Sequence, residues 1–155
     1  MFVDLNGALM QYEGISCPER LVEKGFYELR VPEWNMVSAL KSLVKKNPEL
    51  KVMVIAYVPD SSAYARAECS EWVARYFRCA VRIKYIPLGE YFGNYVKPQV
   101  NDILISMNAG DLALFAMRSK HGIGVDYEKD FINGITCVKA NDPAERIEGV
   151  IRGAF

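Results

Sequence analysis

The residues with chemical potential sit where short apolar runs end. Phe2-Val3-Asp4 closes on a carboxylate and Gly7 follows three residues later, the pattern of a buried strand entering a tight loop. Ile103-Leu104-Ile105 runs into Ser106 and Met107, with Asp111 beyond. Lys97 stands alone in a loop punctuated by Gly and Pro. Asp4 could accept backbone N–H groups around Gly7, and Lys97 could neutralise it by pairing. Four cysteines, Cys17, Cys69, Cys79 and Cys137, are scattered without a C-x-x-C pair, and His121 is the single histidine. A structural zinc site takes about four Cys or His ligands, usually in close pairs. Free thiols in a reducing compartment are therefore expected, and His121 reads as an ordinary polar residue beside Gly122. Neither a G-x-x-x-x-G-K-S/T nor a G-x-G-x-x-G phosphate loop occurs.

Two surfaces carry weaker signals. Tyr91, Phe92 and Tyr95 cluster around a Gly-containing loop and, with Tyr57 and Tyr85, could form an aromatic surface for a base or a protein partner. The competing reading folds that loop onto its own domain. Arg66, Arg75, Arg78, Arg82 and Lys84 make the middle of the chain locally basic. With 19 basic and 19 acidic residues overall, solvated faces suit these charges better than a nucleic-acid stripe.

The elements that would position these groups alternate. Met36, Val37, Leu40, Leu43 and Val44 recur at helical spacing after Pro32, and Asn47-Pro48 ends that helix. Lys51 to Val58 is a continuous apolar run, as in a strand buried on both faces. A helix over 63–77 follows a turn with several candidate N-caps, then an alternating strand over 81–86 and a loop over 87–101. Beyond it come a strand at 103–105, a helix over 111–118, and strands at 122–125 and 135–138. The last helix is expected to start at Asn141-Asp142-Pro143, with Asp142 as cap. Strands alternating with helices predict one three-layer, Rossmann-like α/β domain over 1–155 with a mainly parallel sheet. Ligands of such sheets sit at the carboxyl ends of strands. Those ends are Asp4, Ala56-Tyr57 and Ser106-Met107, with Lys97 in the loop between.

In order and spacing these pieces resemble the haloacid dehalogenase-like superfamily, most closely bacterial and phage relatives of the cytosolic 5'(3')-deoxyribonucleotidases. The carriers are F-V-D-L-N-G-A-L at 2–9, P-E-W-N-M-V-S-A-L-K-S-L at 32–43 and V-M-V-I-A at 52–56, then S-A-Y-A-R-A-E-C-S-E-W at 62–72, Lys97, and I-L-I-S-M at 103–107 with Asp111-Leu112. The resemblance implies a phosphatase frame with a small cap at about 8–31. In that family the first Asp of D-x-D-G-T/V attacks phosphorus and the second works as acid and base. A Ser or Thr after the second strand holds the phosphoryl oxygens, and a Lys offsets charge. A late acidic pair helps to hold Mg²⁺.

This chain keeps only part of that set. Asp4 matches the nucleophile and Lys97 the lysine. Asn6 replaces the acid/base Asp, Ala56 the hydroxyl residue, and Ser106 and Met107 the acidic pair. Asn6 cannot shuttle a proton near neutral pH, which removes assistance of about 10²–10⁴-fold. Met107 puts a thioether where a hard cation wants oxygen. The resemblance therefore implies a non-catalytic pseudophosphatase without a cofactor, one that binds a protein partner or a nucleotide-like ligand, as a regulator or a phage- or mobile-element-borne inhibitor would. The alternative is a divergent Mg²⁺-dependent nucleotidase using Asp4, Lys97 and Asp111.

Composition limits the remaining classes. Apolar residues make up 51% of the 155-residue chain and charged residues 25%, enough apolar surface for an ordinary core. No run approaches the roughly 20 apolar residues of a membrane span. No basic residue precedes Arg20, and Asp4 and Asn6 interrupt the apolar start. No signal peptide is expected, and the reading is cytoplasmic.

Overall fold

A computed structural model describes residues 1–11, 18–78, 81–119, 121–125, 131–132 and 135–155. Cys17, Cys79 and residues 12–17 of the excursion after β1 lie outside the described residues. The strands are β1 (Phe2–Asp4), β2 (Met53–Val58), β3 (Arg82–Pro87), β4 (Leu104–Ser106), β5 (Gly122–Val125), β6 (Phe131–Ile132) and β7 (Ile135–Val138). The helices are α1 (Trp34–Lys46), α2 (Ala65–Phe77), α3 (Phe92–Tyr95), α4 (Ala109–Ser119) and α5 (Ala144–Arg152). The strands form one sheet in the order β3-β2-β1-β4-β5-β7-β6. All neighbours pair in parallel except the short edge strand β6, which runs antiparallel to β7.

Helices cover both faces, which completes the three-layer α/β fold. The larger core joins the sheet to α1, α2 and α5 through Met36, Leu40, Leu43, Trp72, Ile147 and Ile151, all essentially inaccessible. The second core packs Phe92 of α3 and Leu112 and Phe115 of α4 against Phe2, Ile55 and Leu104. A buried parallel sheet needs apolar side chains on both faces, which explains the unbroken run in β2.

Four differences from the sequence expectations have clear local causes. Pro32 lies outside α1: it bridges to Met10, and Glu33 takes the N-cap. The expected loop at 87–101 contains the single turn of α3. Helix α4 starts at Ala109 because the Asn108 side chain accepts from the N–H groups of Gly110 (2.9 Å) and Asp111 (3.2 Å). Asp142 does not cap α5: Pro143 holds that position, and Asp142 accepts from the Lys139 N–H and pairs with Arg146.

The excursion between β1 and α1 leaves and re-enters at one point. Gln11 N–H donates to Val31 O (2.9 Å) and Glu33 N–H to Leu9 O (2.8 Å). Its outer part is tied to α2. The buried Glu68 carboxylate accepts from the N–H groups of Gly25 (2.5 Å) and Tyr27 (3.1 Å), and the Trp72 indole donates to Arg30 O (2.9 Å). Such charge-assisted bonds contribute about 1.5–3 kcal/mol each. Glu68→Ala is therefore expected to lower stability by about 3 kcal/mol in urea denaturation and to speed amide exchange at Gly25 and Tyr27. Unchanged exchange at those two amides would show that Glu68 does not hold the excursion.

Candidate functional site at the strand ends

The sheet order reverses direction between β1 and β4, since β2 and β3 lie on one side and β5 and β7 on the other. Open α/β sheets open a crevice for ligands at such a switch point. Asp4 ends β1, and Ser106, one residue past the Val3–Ile105 pair, ends β4. The two flank the switch point directly.

Ser106 donates its hydroxyl to Asp4 Oδ2 and accepts from the Asn108 N–H at 2.8 Å. Asp4 is only 4% exposed, and its Oδ1 has no hydrogen-bond partner among the described residues. Burial pushes the Asp4 carboxyl up to about 8, against the smaller opposing effect of the Ser106 bond, and the nearby Asp111 charge adds to the rise. Asp111, in the first turn of α4, is buried and accepts a hydrogen bond from the Tyr57 hydroxyl. Its carboxyl is also raised, chiefly by burial. The phenol of Tyr57 is raised by burial and by that bond. Both acids thus favour the protonated form more than free carboxyls do.

The other expected site residues divide. Ala56 is fully buried one residue beyond the Asp4–Ile55 pair, and Asn6 is half-buried in the loop after β1. Lys97 is exposed, forms no ion pair among the described residues, and is not among the groups that shift Asp4. The structure therefore brings Asp4, Ser106, Asp111 and Tyr57 together and leaves Lys97 on the surface. Phe92, expected as a binding residue, is 2% exposed and stacks edge-on against Phe2 and Phe115. Tyr95 is half-buried with Lys84 over its ring, and Tyr91 alone of the three is well exposed. The His121 carbonyl accepts from the Leu104 N–H at 3.1 Å, so its backbone extends the β4–β5 ladder. The thiol of Cys69 is buried and pushed up to about 12, mainly by burial, which keeps it unreactive.

Mg²⁺, which the resemblance brings with the phosphatase reaction, does not fit this donor set. Among the described residues no three His, Cys, Asp or Glu side chains group closely enough to hold a metal. One Asp4 oxygen is engaged by Ser106, one Asp111 oxygen by Tyr57, and Met107 offers sulfur.

Sequence reasoning missed the roles of Asn108 and Tyr57. An Asn just before an apolar helical stripe was the available signal for the first. Nothing local marks the second, because Tyr57 and Asp111 are 54 residues apart in the chain. In comparisons with known proteins, the chain matches no family model and no curated protein.

Met107 closes the loop after Asp4. A Cβ on Gly7 would fall 1.8 Å from the Met107 sulfur, and Gly7 has φ +86°, where side chains are strained. Gly7→Ala is expected to cost about 2–4 kcal/mol, from about 1–2 of left-handed strain and a similar overpacking term. In a Met107→Ala background only the strain should remain. Equal costs in both backgrounds would mean that Met107 does not occupy this space.

Proposed function

We propose that the chain is a haloacid dehalogenase-like pseudophosphatase that works by binding, as a regulatory or inhibitory protein, rather than by phosphoryl transfer. One observation carries the reading: the Ser106 hydroxyl is bonded to Asp4 at the switch point, where the resemblance calls for a metal-binding acid. A carboxyl buried this way is a poor nucleophile, since attack on phosphorus needs the anion. Asn6 adds no acid or base, and the exposed Lys97 has no part in shifting Asp4. A partner protein or a nucleotide-like ligand is what such a stripped frame would bind, with the exposed Tyr91 as one available anchor.

The competing nucleotidase reading has one observation in its favour, the second carboxyl, Asp111, close enough to influence Asp4. A hydrolysis assay separates the two. With p-nitrophenyl phosphate or deoxynucleoside monophosphates, Mg²⁺ should produce no turnover above background. Turnover that Asp4→Asn abolishes would establish the nucleotidase instead.

A further inference from the structure

The chain has no net charge, yet four of its cations converge on one groove with no acid in its lining. Lys41, Val44 and Lys45 come from α1, and Arg75 and Phe77 from α2, followed by Arg78. The groove encloses about 430 Å³. Both helices return from the carboxyl ends of the strands to their amino ends, because β2 follows α1 and β3 follows α2 in parallel alignment. The groove therefore lies at the opposite edge of the sheet from Asp4. It owes nothing to the loss of catalysis proposed above.

Helix dipoles explain only part of this cluster. Lys45 and Arg75 sit in the last turns of α1 and α2, where cations are favoured. Lys41 lies one turn earlier, and as a like charge four residues from Lys45 it disfavours the helix slightly. Arg78 occupies the C-cap in the left-handed conformation, φ 46°, and is the only non-glycine residue at positive φ among the described residues. Glycine is the usual occupant of such a position. Only Arg75 of the four has an ion pair among the described residues, to Glu28 at 3.1 Å. Three exposed cations thus face one groove without a counter-ion among the described residues.

We infer that this groove binds a small, multiply charged phosphate anion of about the size of a nucleoside triphosphate. Two guanidinium forks match phosphate oxygens in bidentate fashion, and two ammonium groups add point charges. The volume falls in the range of small-ligand sites, about 300–1,000 Å³. Val44 and the edge of Phe77 give an apolar floor for an uncharged part of the ligand. The neutral total charge argues against a long nucleic acid, whose binding draws on a wide basic surface.

Calorimetry on the full chain, with chelator present, tests this using inorganic triphosphate and adenosine triphosphate. Both should bind at low salt and more weakly at physiological salt, because exposed charges are screened. Tighter binding of the nucleotide would assign the apolar floor to its base, and equal binding would assign the anion alone; both support the site. Lys41→Glu/Lys45→Glu should weaken uptake by about tenfold or more, and Arg66→Glu, at the other end of α2, should leave it unchanged. Arg78→Gly should weaken uptake while melting no lower than the parent, a split that a purely structural Arg78 would not give. No uptake at low salt, or equal losses from Arg66→Glu and the double variant, would overturn the site. So would an oligonucleotide that binds more tightly than the triphosphates.

Discussion

A buried carboxyl at the end of β1, held among the described residues by the Ser106 hydroxyl, sets the character of this molecule. Asp4 lies between β2 and β4 at the point where the sheet reverses its order. Ionising it there would place a charge beside one hydrogen-bond donor among the described residues, with a second acid nearby. The proton is the fold's solution. The sign of the linkage follows. An unfolded Asp releases its proton near 3.8 and the folded one near 8. This group's contribution to stability is therefore complete below about pH 4 and is lost as the pH climbs through 8.

Much of the frame was legible because burial on both faces leaves a direct trace. The apolar run of β2, the helical spacing in α1 and the strand ends at Asp4 and Ser106 all reflect a core that selects by period. Features fixed by long-range contacts were not legible. Phe92 looks like a surface aromatic in sequence, yet α3 folds it onto Phe2 and Phe115. Glu68 looks like a solvated helix charge, yet it is buried because two backbone N–H groups of the excursion need an acceptor. The pairing of Tyr57 with Asp111 needs the sheet and α4 assembled before it exists. Lys97 is marked by its order and spacing among the other segments, which give no direction for its side chain; the structure leaves it exposed.

The two edges of the sheet differ electrostatically. At the carboxyl edge, Asp4 and Asp111 are buried, and burial raises both carboxyls. At the amino edge, cations from α1 and α2 stand exposed around a groove without acids. The excursion after β1 belongs to neither edge alone, since Leu21 and Tyr27 enter the main core while Glu68 holds its backbone.

The most direct test of this account is the titration of Asp4 itself, followed through its carboxyl carbon by NMR on the ¹³C-labelled chain and assigned by its loss in Asp4→Asn. The account predicts a midpoint near 8, so that the group is largely protonated at neutral pH. A midpoint in the ordinary range, about 4, would mean that an anion stands ready at the end of β1. That result would contradict the loss of phosphoryl-transfer chemistry proposed for this site.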